Sequence, residues 1–226
     1  MLITIFFIVA LIFSAILHEF AHGYAAYLLG DHTAKDAGRL TLNPVAHIDP
    51  VGSILMPVLI YFTHFGIAWA KPVPYNPYNL RDQKFGDLKV GLAGPAMNAV
   101  IAIFFALFSR IVPIAGVIKI DIISAFMSGN YDVIQGYMAG SMLISLFSLS
   151  LVVVFVNILL MTFNLLPIPP LDGSKVVLNL LPYHLQAKWA QLESYGFMII
   201  ILLIYLGAFN LLEPLLGWLF LTLVIY

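Results

Sequence analysis

The sequence predicts an all-α membrane protein, a polytopic transmembrane helix bundle with about four to six membrane segments. Hydrophobic residues make up 62% of its 226 residues, and mean hydropathy is +1.01. Only 9% of the residues are charged, whereas a soluble domain carries about 25%. The net charge of −1 provides no basic surface for nucleic acid, and the absence of cysteine excludes disulfides and thiolate metal sites.

Four apolar runs are long enough to predict membrane helices, since a spanning helix needs about 20 residues. They cover residues 1–29, 90–109, 133–171 and 194–212. Residues 215–226 are too few to span alone unless they continue the preceding helix through a kink. Residues 51–70 are also apolar, but Pro57 interrupts them.

The interval after the first run predicts extended structure. Residues 39–45 alternate in β-type fashion between Gly38 and Pro44, which predicts a short strand or β-hairpin. Residues 71–78 read Lys-Pro-Val-Pro-Tyr-Asn-Pro-Tyr, which predicts a proline-rich extended segment.

The first apolar run contains an H-E-x-x-H motif, formed by His18, Glu19 and His22. On a helix the two histidines lie one turn apart on one face, so both imidazoles can reach one zinc ion. Glu19 can then act as general base on a metal-bound water. The motif also arises by chance in helices, and a single histidine can have a structural role. Charged groups in a membrane helix are costly, however, at roughly 2.5–3.5 kcal/mol each on insertion scales. Two histidines and a glutamate at this spacing in an apolar helix therefore favour a metal site over chance.

A catalytic zinc usually has three protein ligands, so a third is expected elsewhere. Asp172 is the strongest candidate because it follows a proline-broken end of an apolar run, and Gly173 allows close backbone approach. The alternative is an interfacial turn with Asp172 in water. The other candidates in or beside apolar runs are His47, His64, Asp132, Glu193 and Glu213.

Three motifs in this order resemble the site-2 proteases, which are intramembrane zinc metalloproteases of the M50 type. They are H-E-F-A-H at residues 18–22, G-P-A-M-N at 94–98, and N-x-x-P at 164–167 followed by L-D-G at 171–173. The resemblance covers residues 17–173. It is to a minimal form without PDZ or CBS domains, with a long insert between the first two motifs.

The resemblance implies a role for each matching residue. It implies one zinc ion on His18, His22 and Asp172, with Glu19 as catalytic base. Asn164 resembles the family asparagine that helps hold the substrate carbonyl. The resemblance also suggests that Asn98 contacts the centre from outside the metal's coordination sphere. His47 is a separate candidate from its position just after the expected hairpin: it could contact the centre in the same way, or belong to a polar interfacial loop, which is the favoured alternative.

The predicted organisation is one intramembrane metalloprotease domain over residues 1–226. Residues 33–87 form the insert, 88–182 the second half of the catalytic core, and 194–226 the C-terminal membrane helix or helices. The expected activity is intramembrane endoproteolysis, with Glu19 activating zinc-bound water against a transmembrane segment of a substrate protein. The expected partners are that substrate and the lipid bilayer, with no nucleic acid, and the oligomeric state stays open. The alternative is a membrane metal-ion transporter or metal-binding protein that uses the same His/Glu/Asp cluster.

Lysine and arginine positions predict the orientation, provided that residues 51–70 dip into the membrane and return. One side then carries eight of these residues and the other carries only two, which obeys the positive-inside rule. If residues 51–70 span instead, the split is six to four. We therefore expect location in the plasma (inner) membrane, an extracytoplasmic N-terminus and a zinc site nearer the cytoplasmic face. The eight are Lys35, Arg39, Lys71, Arg81, Lys84, Lys89, Lys175 and Lys188, and the two are Arg110 and Lys119.

Overall fold

A computed structural model describes residues 2–56 and 71–225, and within these residues the fold is helical with no strand. Short 3₁₀ turns lie at Pro44–His47, Pro77–Asn79 and Ala208–Leu212, and a π-helical turn at Pro50–Leu55. The α-helices are α1 (Leu2–Leu28), α2 (Thr33–Asp36), α3 (Gly86–Ile111), α4 (Gly116–Met127), α5 (Tyr131–Met138), α6 (Met142–Asn164), α7 (Gly173–Leu180), α8 (Tyr183–Glu193), α9 (Gly196–Tyr205) and α10 (Glu213–Ile225).

Four helical stretches among the described residues are long and apolar enough to cross a membrane. They are α1, α3, α6 and the stretch Ala208–Ile225, in which a 3₁₀ turn continues into α10. At a rise of 1.5 Å per residue, the 23 residues of α6 extend about 34 Å, which exceeds the ~30 Å hydrocarbon core. The fold is therefore that of a polytopic α-helical membrane protein, as the sequence predicts.

The apolar run at residues 194–212 does not form one straight membrane helix, although it is long enough for one. Within the run at residues 194–212, α9 is only ten residues long and is bent by 66° from the preceding helix. Gly207 follows α9 with a positive φ of 69°, a conformation that favours glycine and terminates the helix. The last apolar residues reach spanning length by joining the turn at Ala208–Leu212.

The predicted strand or hairpin at residues 39–45 is wrong. Pro44–His47 forms a 3₁₀ turn instead, and the Asn43 side chain accepts a hydrogen bond from the Val45 amide at 3.1 Å. An asparagine cap followed by proline stabilises the start of a helical turn. Pro44 also has no N–H to donate to a β-ladder, so the β-type residues before it gain no partner strand.

The prediction for residues 51–70 can be compared with the structure only at its start. Pro50–Leu55 form the π-helical turn, which the Asp49 side chain caps through the amides of Val51 and Gly52. Residues 57–70, including His64, lie outside the described residues. The expected re-entrant path and the orientation that depends on it stay predictions.

The chain forms two compact units. The first consists of residues 1–14, 98–160 and 211–226 and is called the ladder unit. Its apolar core includes Phe126 and Phe220, whose rings stack at 5.2 Å. Its buried polar groups pair as a ladder: Asn98 Nδ2 donates to Asn157 Oδ1 at 2.8 Å, and Asn157 Nδ2 donates to Ser14 Oγ at 2.9 Å. These neutral groups satisfy one another and link α1, α3 and α6.

The second unit consists of residues 15–97 and 161–210 and is called the site unit. A small apolar cluster of Ala26, Leu80 and Val90 packs the end of α1 against the start of α3. The Arg81 amide donates to the Leu29 carbonyl at 2.8 Å, which holds the loop before α3 to the end of α1. This unit contains the H-E-x-x-H motif and Asp172.

Candidate metal centre

Three buried side chains of the site unit converge on one point. His18 Nε2 lies 3.0 Å from Asp172 Oδ2 and 3.0 Å from His22 Nε2, and His22 Nε2 lies 3.2 Å from Asp172 Oδ2. All three are buried: His18 is 5%, His22 6% and Asp172 9% exposed. Among the described residues this is the one group of histidines and carboxylates whose ligand atoms lie close enough to share an ion.

Helix α1 supplies both histidines. The helix is unbroken from Leu2 to Leu28, so residues at i and i+4 lie on one face. The ring centroids of His18 and His22 are 4.6 Å apart at an interplanar angle of 85°. This edge-on arrangement directs both Nε2 atoms at Asp172.

Helix α3 approaches the histidines at Gly94, where a side chain would not fit. A Cβ at Gly94 would lie 2.6 Å from His18 Nε2 and would also overlap His22 Nε2. Contacts below 3.0 Å are essentially never made by real Cβ atoms. The backbone at Gly94, the first residue of the G-P-A-M-N motif, therefore packs directly against His18 and His22 of the cluster formed by His18, His22 and Asp172, here called the ligand cluster.

A backbone carbonyl of α3 fixes the tautomer of His22. His22 Nδ1 lies 2.7 Å from the Val90 carbonyl oxygen, which can only accept a hydrogen bond. The proton of a neutral His22 is therefore on Nδ1, and Nε2 presents its lone pair to Asp172 and His18. A lone pair this close to a carboxylate oxygen needs a proton or a cation between them, so the cluster is suited to a bound cation.

Asp172 reaches the cluster through a tight reversal of the chain after α6. Helix α6 ends at Asn164, and Gly173 then packs directly on the carbonyls of Leu165 and Leu166. A Cβ at Gly173 would overlap both carbonyl oxygens, so the reversal requires glycine. The L-D-G sequence thus places the carboxylate beside two histidines that lie 154 and 150 positions earlier in the sequence.

The donor set fits zinc. Two imidazole nitrogens and one carboxylate oxygen are ligands of catalytic zinc sites, which leave a further position open. Tetrahedral ligands at about 2.05 Å from zinc lie roughly 3.3 Å from one another. The observed separations of 3.0–3.2 Å are close to that value.

Glu19 lies beside the cluster and is held by the backbone. Its Oε2 accepts a hydrogen bond from the Val73 amide at 2.8 Å. Val73 lies in residues 71–76, which form neither helix nor strand; Asn76 has extended backbone angles, whereas Pro77 and Tyr78 of the predicted extended segment belong to a 3₁₀ turn. That segment bonds to side chains and turns of the site unit rather than to a neighbouring strand.

The remaining predicted site residues among those described are Asn164, His47 and Asn98. Asn164 is the last residue of α6 and is half-buried. His47 is 3% exposed, and its Nε2 lies 2.8 Å from the Thr41 carbonyl oxygen, so it organises its own loop. Asn98 belongs to the amide ladder with Asn157.

Several residues around the site are not identified by the sequence alone. Arg39 and Asp31 are almost completely buried and bond to the segment at 71–76, and the Val73 amide reaches Glu19. For Asp31, the available sequence signal is an aspartate placed directly after a long apolar run. No side-chain pattern signals a backbone amide such as that of Val73.

The model of the peptidase family M50 matches residues 78–207 of the chain. The match covers Gly94, Asn164 and Asp172 but begins after the H-E-x-x-H motif. It spans more than half of the 226 residues.

Curated relatives carry names that agree with this match. "Putative zinc metalloprotease YwhC" of Bacillus subtilis is 37% identical over 198 residues, which are 88% of this chain and 79% of the relative. "Putative zinc metalloprotease Rip2" of Mycolicibacterium smegmatis is 29% identical over 87% of this chain and 65% of its own length. The Rip2 protein of Mycobacterium tuberculosis strain H37Rv is 25% identical over 92% of this chain and 67% of its own. No solved structure gave a significant match.

Proposed function

We propose that this chain, which belongs to peptidase family M50 and is a zinc metalloprotease, hydrolyses peptide bonds of transmembrane segments within the bilayer. The observation that supports this most strongly is the convergence of His18, His22 and Asp172 between apolar helices, with Glu19 beside them. Such ionisable groups are costly in membrane helices, so they are rare there and usually mark a functional site.

The proposed ligands are His18 Nε2, His22 Nε2 and Asp172 Oδ2, which would hold one zinc ion. When bound, zinc would polarise the scissile carbonyl and lower the pKa of a coordinated water. The Val90 carbonyl keeps His22 in the tautomer that binds through Nε2. Gly94 leaves the space that the two imidazoles need.

Glu19 is the proposed general base. Its carboxylate accepts the proton of the attacking water and can return it to the leaving amine. The hydrogen bond from the Val73 amide holds Oε2, so Oε1 is the oxygen that takes the proton in this scheme. Asn164 is the proposed donor to the developing oxyanion through its side-chain amide.

The proposed substrate is a transmembrane helix of another protein. Among the described residues, four apolar helical stretches are long enough to cross a membrane, and His18 and His22 lie within one of them, so a lipid-embedded segment is the substrate class that this placement favours. The peptide bonds of a helix are shielded by its own hydrogen bonds, so the substrate must unwind locally before attack. The lipid bilayer is accordingly part of the working environment.

The proposed orientation has an extracytoplasmic N-terminus and the metal centre nearer the cytoplasmic face. It rests on the eight-to-two distribution of lysine and arginine if residues 51–70 dip and return. Single cysteines at positions 40 and 80 should then be labelled from the same side of the membrane. Labelling from opposite sides would refute the orientation.

Cleavage of single-span substrates in proteoliposomes tests the proposed activity. Wild-type protein should release fragments, and Glu19→Gln should abolish release while zinc per chain stays unchanged. Glu193→Gln is a matched control, because it makes the same chemical change at an exposed position and should retain cleavage. Full cleavage by Glu19→Gln would refute the role of Glu19, and zinc flux into the liposomes without cleavage would favour a transporter.

A further inference from the structure

The segment at residues 71–76, here called the strap, crosses the carboxylate of Glu19. Its sequence is Lys-Pro-Val-Pro-Tyr-Asn, so Val73 has proline on both sides. Prolines lack an N–H and favour extended backbone in the residue before them. Within residues 72–74 the Val73 amide is therefore the one backbone donor, and it is the donor used on Glu19 Oε2, at 2.8 Å.

The first end of the strap is clamped by a buried arginine. Arg39 is 8% exposed, and its Nη2 donates to the Lys71 carbonyl at 2.8 Å and to the Pro72 carbonyl at 3.4 Å. The Lys71 amide in turn donates to the His47 carbonyl at 2.9 Å. Both residues that precede Val73 are thus held through their backbone.

The other end of the strap is clamped by a buried aspartate. Asp31 has no exposed surface, and its Oδ2 accepts the Asn76 amide at 2.8 Å. Burial by itself would raise the pKa of Asp31, but hydrogen bonds from Thr33, Asn79 and Asn76 lower the pKa below its ordinary value. The carboxylate is therefore ionised at neutral pH, and hydrogen bonds to a charged acceptor are the stronger ones.

The Val73 side chain fixes the middle of the strap on α1. Val73 is 6% exposed and lies against Gly23, the residue after His22. A Cβ at Gly23 would lie 2.8 Å from Val73 Cγ1, so a larger residue there would displace the strap. The position of the Val73 amide is therefore set by contacts on both ends and on its side chain.

We propose that the backbone N–H of Val73 positions the Glu19 carboxylate by donating a hydrogen bond to it. The bonds from Arg39 and to Asp31 hold the strap, and with it this N–H, in place. This inference rests on the proposed role of Glu19 as general base. The hydrogen bond holds one carboxylate oxygen and limits rotation of the side chain, so the second oxygen keeps one direction toward the attacking water. Groups that orient metal ligands from outside the coordination sphere typically contribute 10–100-fold to metal affinity or activity, and we expect an effect of the same order here.

Val73→Pro removes this donor and keeps the extended backbone that Pro72 and Pro74 already favour. Val73→Ala is the matched control, because it loses side-chain packing but retains the N–H. We expect kcat of Val73→Pro to be about 10–100-fold below that of Val73→Ala, with KM and zinc per chain similar in the two variants. Equal kcat values would overturn the inference. A higher kcat for Val73→Pro would also overturn it and would show that the strap inhibits the site.

Amide exchange gives a test that needs no activity. In protein labelled with ¹⁵N-valine, the Val73 amide should exchange with solvent faster in Glu19→Ala than in wild type, and Glu193→Ala should leave its rate unchanged. An unchanged rate in Glu19→Ala would overturn the inference even if cleavage is confirmed. Absence of cleavage by the wild type, with the exchange difference present, would instead refute the proposed activity and leave the hydrogen bond established.

Discussion

The two units of the molecule bury polar side chains in different ways. The ladder unit buries neutral groups, with Asn98, Asn157 and Ser14 joined by hydrogen bonds. The site unit buries ionisable groups, with His18, His22 and Asp172 directed at one point. Neutral amides complete one another's hydrogen bonds, whereas two imidazoles and a carboxylate are complete only with a cation or protons among them.

This difference separates a structural polar cluster from a functional one. Both clusters are buried and both link distant parts of the chain, so burial alone does not distinguish them. The distinguishing property is whether the buried hydrogen-bond donors and acceptors of a cluster pair with one another without an added cation or proton. By that criterion, changes in the ladder unit should alter stability, and changes at the cluster in the site unit should alter metal binding.

The largest expected effect comes from Gly94→Ala. The added Cβ would overlap both imidazoles, so zinc per chain should fall from one to near zero and cleavage should be lost. The measurement is metal analysis of the purified protein. Gly136→Ala is a matched control because a Cβ there meets nothing within 4 Å, and it should retain zinc. Normal zinc content in Gly94→Ala would contradict the observed packing.

Asn98→Ala should have an intermediate effect on a different property. It removes the donor to the buried Asn157 Oδ1, while Asn157 Nδ2 keeps its bonds to Ser14 and Val153, and an unsatisfied buried acceptor costs roughly 1–3 kcal/mol. For a protein of this size that corresponds to a fall in Tm of about 2–12 °C. Zinc per chain should be unchanged. Loss of zinc with an unchanged Tm would reverse the distinction between the two clusters.

The smallest expected effect is the pH dependence of an Asp31→Asn variant. The pKa of Asp31 is lowered in the folded protein from the reference value of 3.8, so its contribution to stability is present above that value. The contribution is lost as pH falls through the folded pKa. The difference in Tm between wild type and Asp31→Asn should therefore shrink between pH 7 and pH 3. The difference for Asn98→Ala should stay constant, because the amides of the ladder do not titrate. A constant difference for Asp31→Asn would contradict the charged state assigned to it.

Local patterns account for most of what the sequence predicted correctly. The spacing of His18 and His22 implies one helical face, and the helix forms as expected. Long apolar runs predict α3 and α6 because length and composition are local properties. Asp172 stands out in the sequence because charged residues are rare near apolar runs and because its motif resembles that of a family; its carboxylate lies beside the histidines, and its role as a metal ligand stays a prediction.

The features that the sequence did not predict depend on non-local or backbone contacts. The Val73 amide meets Glu19 across 54 positions, and a backbone donor has no signature in residue type. The G-P-A-M-N motif is visible in the sequence, but the closeness of Gly94 to the imidazoles depends on the packing of α3 on α1. The strand prediction at residues 39–45 failed because Asn43 and Pro44 start a 3₁₀ turn.

The central claim is that the ligand cluster of the site unit is the zinc centre, and zinc X-ray absorption of the Glu19→Gln protein tests it most directly. Multiple scattering from imidazole rings gives the number of histidines on the metal. We expect two imidazoles, together with oxygen donors at about 2.0–2.2 Å, and one imidazole after a further His22→Ala substitution. A bound zinc without imidazole ligands, or two imidazoles retained in the His22→Ala protein, would contradict it.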